Sequence, residues 1–109
     1  MPRADGLPPG TLALLILRIL TPGPLHGYAI AQRIAHLSEG KLSVEEGSLY
    51  PALQKLLLNG WVTVHPTISD TGREVRAYKL TMAGRKQLMR ERQRHAEITH
   101  AIARILAHA

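Results

Sequence analysis

Ser48, Tyr50, Gln54 and Lys55 stand in one short run, Glu45-Glu46-Gly47-Ser48-Leu49-Tyr50-Pro51-Ala52-Leu53-Gln54-Lys55-Leu56. Two hydroxyls, an amide and an ammonium at this spacing suit recognition rather than bond making. They are the donors and acceptors that meet base edges and phosphates in a DNA major groove. Leu49, Leu53, Leu56 and Leu57 recur at helical spacing and predict a short helix with these residues turned to a core. The polar groups and Pro51 then fall on the other faces. The plain alternative is a surface helix with an ordinary polar face.

Within that helix Gln54 suits adenine and Lys55 suits guanine. Ser48 at the helix start suits a phosphate held by backbone donors, or is only a cap. Tyr50 offers a hydroxyl to a phosphate and a ring to a thymine methyl, or lies half buried under the preceding helix. Tyr28 has a hydroxyl for a phosphate, although core packing is the simpler role for its ring. Arg73 and Arg76 read as phosphate or minor-groove contacts, and Lys41 as a weaker candidate of the same kind. For each cation the alternative is a solvated surface charge.

Other chemistry finds no residues to carry it. The chain has no cysteine, which excludes disulfides and thiolate metal sites. His95 and His100 do not share a helix face, no HExxH pattern is present, and no metal or cofactor is expected. Neither a Ser/His/Asp arrangement nor a Gly-rich phosphate loop occurs, so the expectation is a protein that is not an enzyme.

At 109 residues the chain is read as one domain whose core must be mostly aliphatic, since Phe is absent. So small a domain gains from burying apolar surface in an oligomer. The net charge of +6 fits a polyanionic partner, double-stranded DNA. Four of those charges fall in residues 81–109, outside the reading helix, so charge alone is weak support. The start lacks the pattern of a signal peptide. The apolar run Leu12 to Leu20 is broken by Arg18 and is too short to cross a membrane. The expectation is a soluble, cytoplasmic protein.

The elements that must position the reading helix follow from periodicity and breakers. Residues 1–9 read as a loose tail. A first helix begins at Gly10 or Thr11, with Thr11 as a cap, buries Leu12, Leu15, Ile16, Ile19 and Leu20, and stops at Thr21-Pro22-Gly23-Pro24. A second spans about His26 to Leu37 with Ala29, Ile30, Ile34 and Leu37 inward. Lys41 to Val44 is a connection with a few residues of strand. For the central helix, Ser43 and Glu46 match a capping box, whereas Pro51 favours a start at Ser48. The later start is preferred. Asn59-Gly60 ends it.

Trp61 to His65 and Val75 to Leu80 read as two strands of a hairpin, with a loose polar tip from Ser69 to Glu74 and Pro66 limiting the pairing. Thr81 caps a last helix that runs to about Ala107. The fold class is mainly α with a small β-hairpin: a winged helix-turn-helix over residues 10–81 and a long C-terminal dimerisation helix over 82–109. On that helix Leu88, Arg92, His95, Thr99, Ile102 and Leu106 alternate spacings of four and three. With Leu12 and Leu15 of the first helix they are the expected dimer interface. The alternative is an exposed, frayed terminal helix.

The same residues carry a family resemblance. Leu25-His26-Gly27-Tyr28, Gly47-Ser48-Leu49-Tyr50-Pro51-Ala52-Leu53, Leu56, Gly60-Trp61-Val62, Gly72-Arg73 and Tyr78-Lys79-Leu80-Thr81-Met82-Ala83-Gly84 occur in order. This set resembles the PadR-type transcriptional regulators of the short kind with a single C-terminal helix. The resemblance implies a homodimeric repressor that binds a palindromic operator and is often released by a small-molecule effector. Two positions depart from it. Leu57 and Leu58 replace the usual polar residues, and no aromatic residue stands near His95, where many relatives place one for a flat ligand. Two rival readings remain: a winged-helix protein-interaction module that uses exposed Leu57 and Leu58, and a carrier of apolar ligands in a dimer groove.

Overall fold

The computed structural model describes residues 6–8 and 10–109. Most of the expected N-terminal tail therefore lies outside the described residues. Helix α1 (Thr11–Ile19) begins after Gly10, whose φ of 85° makes it the cap in place of Thr11. Helix α2 spans Gly27–Leu37, α3 Glu46–Leu58 and α4 Met82–His108. Strands β2 (Val62–Ile68) and β3 (Glu74–Leu80) form the expected hairpin. A further strand, β1 (Leu25–His26), adds to β3, so the sheet has the order β1-β3-β2. Leu25 pairs with Tyr78 and His26 with Ala77. Two residues are too few to show a period of two in sequence. The expected strand at Lys41 to Val44 is absent apart from a single bridging residue, Ser43.

The core is aliphatic. Ile16 and Leu17 of α1, Leu20 at its C-cap, Ile30 and Ile34 of α2, and Leu49, Leu53 and Leu56 of α3 are buried together with Val62, Tyr78, Leu80 and Leu88. Each such side chain contributes roughly 1.5–3 kcal/mol by leaving water. Leu37 is not among them: it is 60% exposed at the last turn of α2.

Pro66 does not interrupt the hairpin. It pairs with Arg76, and pairing continues to Ile68 and Glu74. Strand β2 is the outer strand of the sheet, where a missing backbone donor is tolerated. Nor is the tip loose. The Ser69 amide donates to the Arg73 carbonyl at 2.8 Å, the Gly72 amide to the Ser69 carbonyl at 2.9 Å, and the Arg73 amide to Ser69 Oγ at 3.2 Å.

Helix α3 ends as Asn59-Gly60 predicts. Gly60 has φ +73°, its amide donates to the Leu57 carbonyl, and the Trp61 amide donates to the Leu56 carbonyl, which is a Schellman closure. The start of α4 is fastened to this turn. The Thr81 amide donates to the Trp61 carbonyl at 3.0 Å, and Thr81 Oγ1 donates to the Gly60 carbonyl at 2.8 Å. The same hydroxyl oxygen accepts from the Gly84 amide at 3.0 Å and so caps α4. Gly84 lies so close to this turn that a Cβ would overlap the Trp61 carbonyl oxygen and come within 2.7 Å of Leu80 Cδ1.

Two variants separate these features. Gly84→Ala is expected to destabilise the protein by about 3 kcal/mol, because the clash is with backbone that cannot rotate away. Thr81→Ala is expected to cost about 1 kcal/mol, the loss of a cap. Urea unfolding measures both, and a Gly84→Ala loss no larger than that of Thr81→Ala would contradict the close packing.

Candidate nucleic-acid interface

Helix α3 presents one solvent face. Gly47, Tyr50, Pro51, Gln54 and Leu58 are exposed at intervals of three and four, with Lys55 on the flank. Leu49, Leu53 and Leu56 hold the opposite face in the core. The helix starts at Glu46 with Glu45 as its N-cap. Neither expected start is right: Ser43 makes no cap, and Ser48 is already in the first turn, half buried, with its amide donating to the Glu45 carbonyl at 3.0 Å. Ser48 is therefore not on the outward face. Pro51 sits inside the helix, and the residue four before it, whose carbonyl loses a partner, is the exposed Gly47.

Of the two leucines that the interaction-module reading takes as exposed, only Leu58 is, at 78%, whereas Leu57 follows its helical spacing toward the core and is partly buried against it. An interaction surface built on both leucines therefore has one member.

Tyr28, Tyr50, Arg73 and Arg76 come together around a cleft of about 660 Å³ between the start of α2, the start of α3 and the wing. Tyr28 is 67% exposed, so its ring is not in the core as the simpler reading had it. Its nearest ring neighbour is His26, with centroids 6.5 Å apart. Tyr50 lies across Gly27: a Cβ at Gly27 would sit 2.8 Å from the Tyr50 hydroxyl oxygen. Glycine there lets the first turn of α2 approach α3. Lys41, Ser48, Gln54 and Lys55 do not line this cleft. Lys55 and Pro51 instead border a second cleft, between α1, α3 and α4, with Leu12 and Trp61.

Sequence reasoning missed Tyr78 in this cleft. Successive strand residues alternate faces, so Arg76, Tyr78 and Leu80 share the face of β3 turned to the helices. Leu80 and Tyr78 are buried there, and Arg76 continues the row outward to the cleft. That alternation was the available signal. Burial, and secondarily Tyr50, raise the pKa of the Tyr78 hydroxyl above its ordinary 10.0, against a smaller opposing effect of Arg76. Stability that depends on the neutral phenol is thus whole below pH 10.0 and is lost as pH rises through the raised value.

The expected dimer residues divide. Leu88 is 7% exposed and belongs to the protomer's own core, so it is withdrawn from the interface. Leu12 and Leu15 are partly buried against that core. No residue of α4 beyond Glu91 is buried or half-buried. His95, Thr99 and Ile102 line a groove beside the start of α1, and Arg92 and Leu106 do not. Ile98, which the spacing argument passed over, lines it too. No helix among the described residues is long and apolar enough to cross a membrane, and no group of three or more potential metal ligands occurs among them.

Three helices, a wing and a long final helix define a winged helix-turn-helix protein with a C-terminal helical extension. Residues 16–90 match the transcriptional regulator PadR-like family. The chain belongs to that family of transcriptional regulators, which are not enzymes. It is 40% identical over 92 residues to an uncharacterized 37.1 kDa protein of a Streptomyces fradiae transposon, covering 84% of this chain and 23% of that one. It is 32% identical over 91 residues to the negative transcriptional regulator PadR of Bacillus subtilis, covering 84% of this chain and 50% of that one. The chain thus spans half or less of the length of these curated relatives. Among solved structures, a Streptococcus mutans protein superposes with a TM-score of 0.78 at 29% identity, over 89% of this chain and 87% of that one. Bacillus subtilis PadR in complex with operator DNA superposes with a TM-score of 0.65 at 33% identity, over 75% of this chain and 46% of that one.

The Gly27–Tyr50 contact makes a local prediction. Gly27→Ala should destabilise the protein by about 1–3 kcal/mol, and much less in a Tyr50→Ala background. A double-mutant cycle by thermal unfolding measures the coupling, and additive losses would mean that the ring does not rest on Gly27.

Proposed function

We propose that the chain is a sequence-specific DNA-binding repressor that acts as a homodimer on a palindromic operator. The observation that carries the reading is the outward face of α3, which exposes Tyr50, Gln54 and, on its flank, Lys55, with Tyr50 sharing a cleft with Arg73 and Arg76 of the wing. Gln54 and Lys55 read base edges, and Tyr50 and Pro51 pack against the groove wall. Arg73 and Arg76 bind the backbone or the minor groove. Tyr28 adds a phosphate contact, and exposed Lys41 a long-range attraction to the backbone. Ser48 is left as a first-turn residue.

Dimerisation is supported by the uncovered face of α4. Ile98, Ile102, Ile105 and Leu106 are exposed on a helix of 27 residues whose first half packs on α1. Four exposed aliphatic side chains in one stripe favour a partner helix. We assign the seam to His95, Ile98 and Ile102, with Leu106 at its end, Arg92 and Thr99 on its flank, and Leu12 and Leu15 at the edge of α1. Two protomers joined there would set their reading helices about one DNA turn, ~34 Å, apart. Repression follows by covering a promoter. A small molecule that changed the angle between the protomers would mis-space the helices and release the DNA.

Selection of bound duplexes from a random pool tests the reading first. The expected product is a palindrome with half-sites about one helical turn apart. On that operator, Gln54→Ala and Lys55→Ala should each lose about 1–3 kcal/mol of preference over random DNA. Arg73→Ala should weaken binding to all sequences alike and flatten the salt dependence by about one unit of slope. Equal operator affinity in all three variants refutes the assignment. Ile102→Asp should convert a dimer to a monomer in sedimentation equilibrium without unfolding it, and an unchanged mass would refute the seam.

A further inference from the structure

The cleft between α2 and the wing holds a feature that groove reading does not use. Tyr78 is 6% exposed, yet its hydroxyl has no hydrogen-bond partner among the described residues. No fully enclosed side-chain oxygen or nitrogen lacks a partner among them, so this hydroxyl reaches open space, and the space that Tyr78 lines is the cleft. The ring is buried while its hydroxyl opens to the cleft, so the donor is held in place and free for an acceptor that enters. The first turn of α2 borders the same cleft through His26, Gly27 and Tyr28. His26, its N-cap, makes no side-chain cap, so the leading amides of an 11-residue helix lack a side-chain acceptor from it.

We propose that this cleft seats one phosphodiester of duplex DNA, and that Tyr78 donates its hydroxyl to that phosphate beside the leading amides of α2. Tyr50 and Tyr28 bring two further hydroxyls to the rim, and Arg76 lies on the same strand face as Tyr78. Glu46 and Asp70 are also on the lining and offset Arg73 and Arg76. The attraction therefore comes from aimed donors rather than from net charge, which suits a singly charged phosphodiester. The cleft is open and, at about 660 Å³, is wide enough for a phosphate with its flanking sugars. The pairing of Leu25 with Tyr78 fixes the geometry, because it ties the strand entering α2 to the wing.

The proposal rests on the reading that the chain binds duplex DNA, but not on its having a sequence code. The test therefore uses a duplex of arbitrary sequence at low salt. Tyr78→Phe keeps the ring and removes the donor. It should weaken duplex binding by about tenfold with an unchanged melting temperature, the scale of one lost hydrogen bond to a charged acceptor. In protein labelled with 13C at the tyrosine ζ carbon, the Tyr78 signal should shift on addition of the duplex. Wild-type affinity in Tyr78→Phe, or an unmoved Tyr78 signal while the duplex is bound, would overturn the phosphate seat. Duplex binding with no sequence preference, but with both Tyr78 effects, would overturn the operator reading and support the seat. Absence of any duplex binding would overturn both.

Discussion

The arrangement of this molecule depends on how closely the start of α4 lies against the end of α3. Gly84 packs on the Trp61 carbonyl with no room for a Cβ, and Thr81 ties both its amide and its hydroxyl to the same turn. The turn is itself fixed by the Schellman closure at Gly60. A helix held by backbone-to-backbone contact over its first turn has little freedom of tilt. The direction of α4 is therefore set relative to α3 within one chain. Any partner that grips the far end of α4 would thereby fix the position of the reading helix, as a dimeric reader of two half-sites requires.

The second constraint is at the opposite end of α3. Leu25 and His26 join the sheet, so α2 begins where the wing begins. Gly27 admits the Tyr50 ring, which brings the starts of α2 and α3 together. The three tyrosines of the chain gather at this junction, with the wing arginines beyond them. Hydroxyl-bearing rings that pack by one side and offer a donor by the other suit a surface that must be rigid and wet at once.

The solvent face of α3 differs in character from one end to the other. Tyr50, Gln54 and Lys55 are polar, and Leu58 is not. With Leu57 folded back on the core, the apolar exposure that set this chain apart in sequence shrinks to one side chain. A single exposed leucine is ordinary for a protein surface. The larger uncovered apolar surface is on α4.

The sequence by itself determined the helices, the hairpin and the outward face of α3. Long-period apolar patterns, Asn59-Gly60 and Thr81 act locally, and local signals survive without knowledge of the fold. Gln54, Lys55, Arg73 and Arg76 were legible as outward residues for the same reason. The tertiary structure decided what depends on neighbours distant in sequence. Strand β1 exists only because β3 is there to pair with it. Leu88 left the expected seam because it is buried in the chain's own core, and Ile98 joined the stripe because it stays exposed beside the start of α1. Ser48 lost its capping role because α3 begins earlier, at Glu46, although Pro51 argued locally for a later start. Tyr78 could not be singled out as a donor from its strand alone, since the cleft it opens into is made by α2, α3 and the wing together.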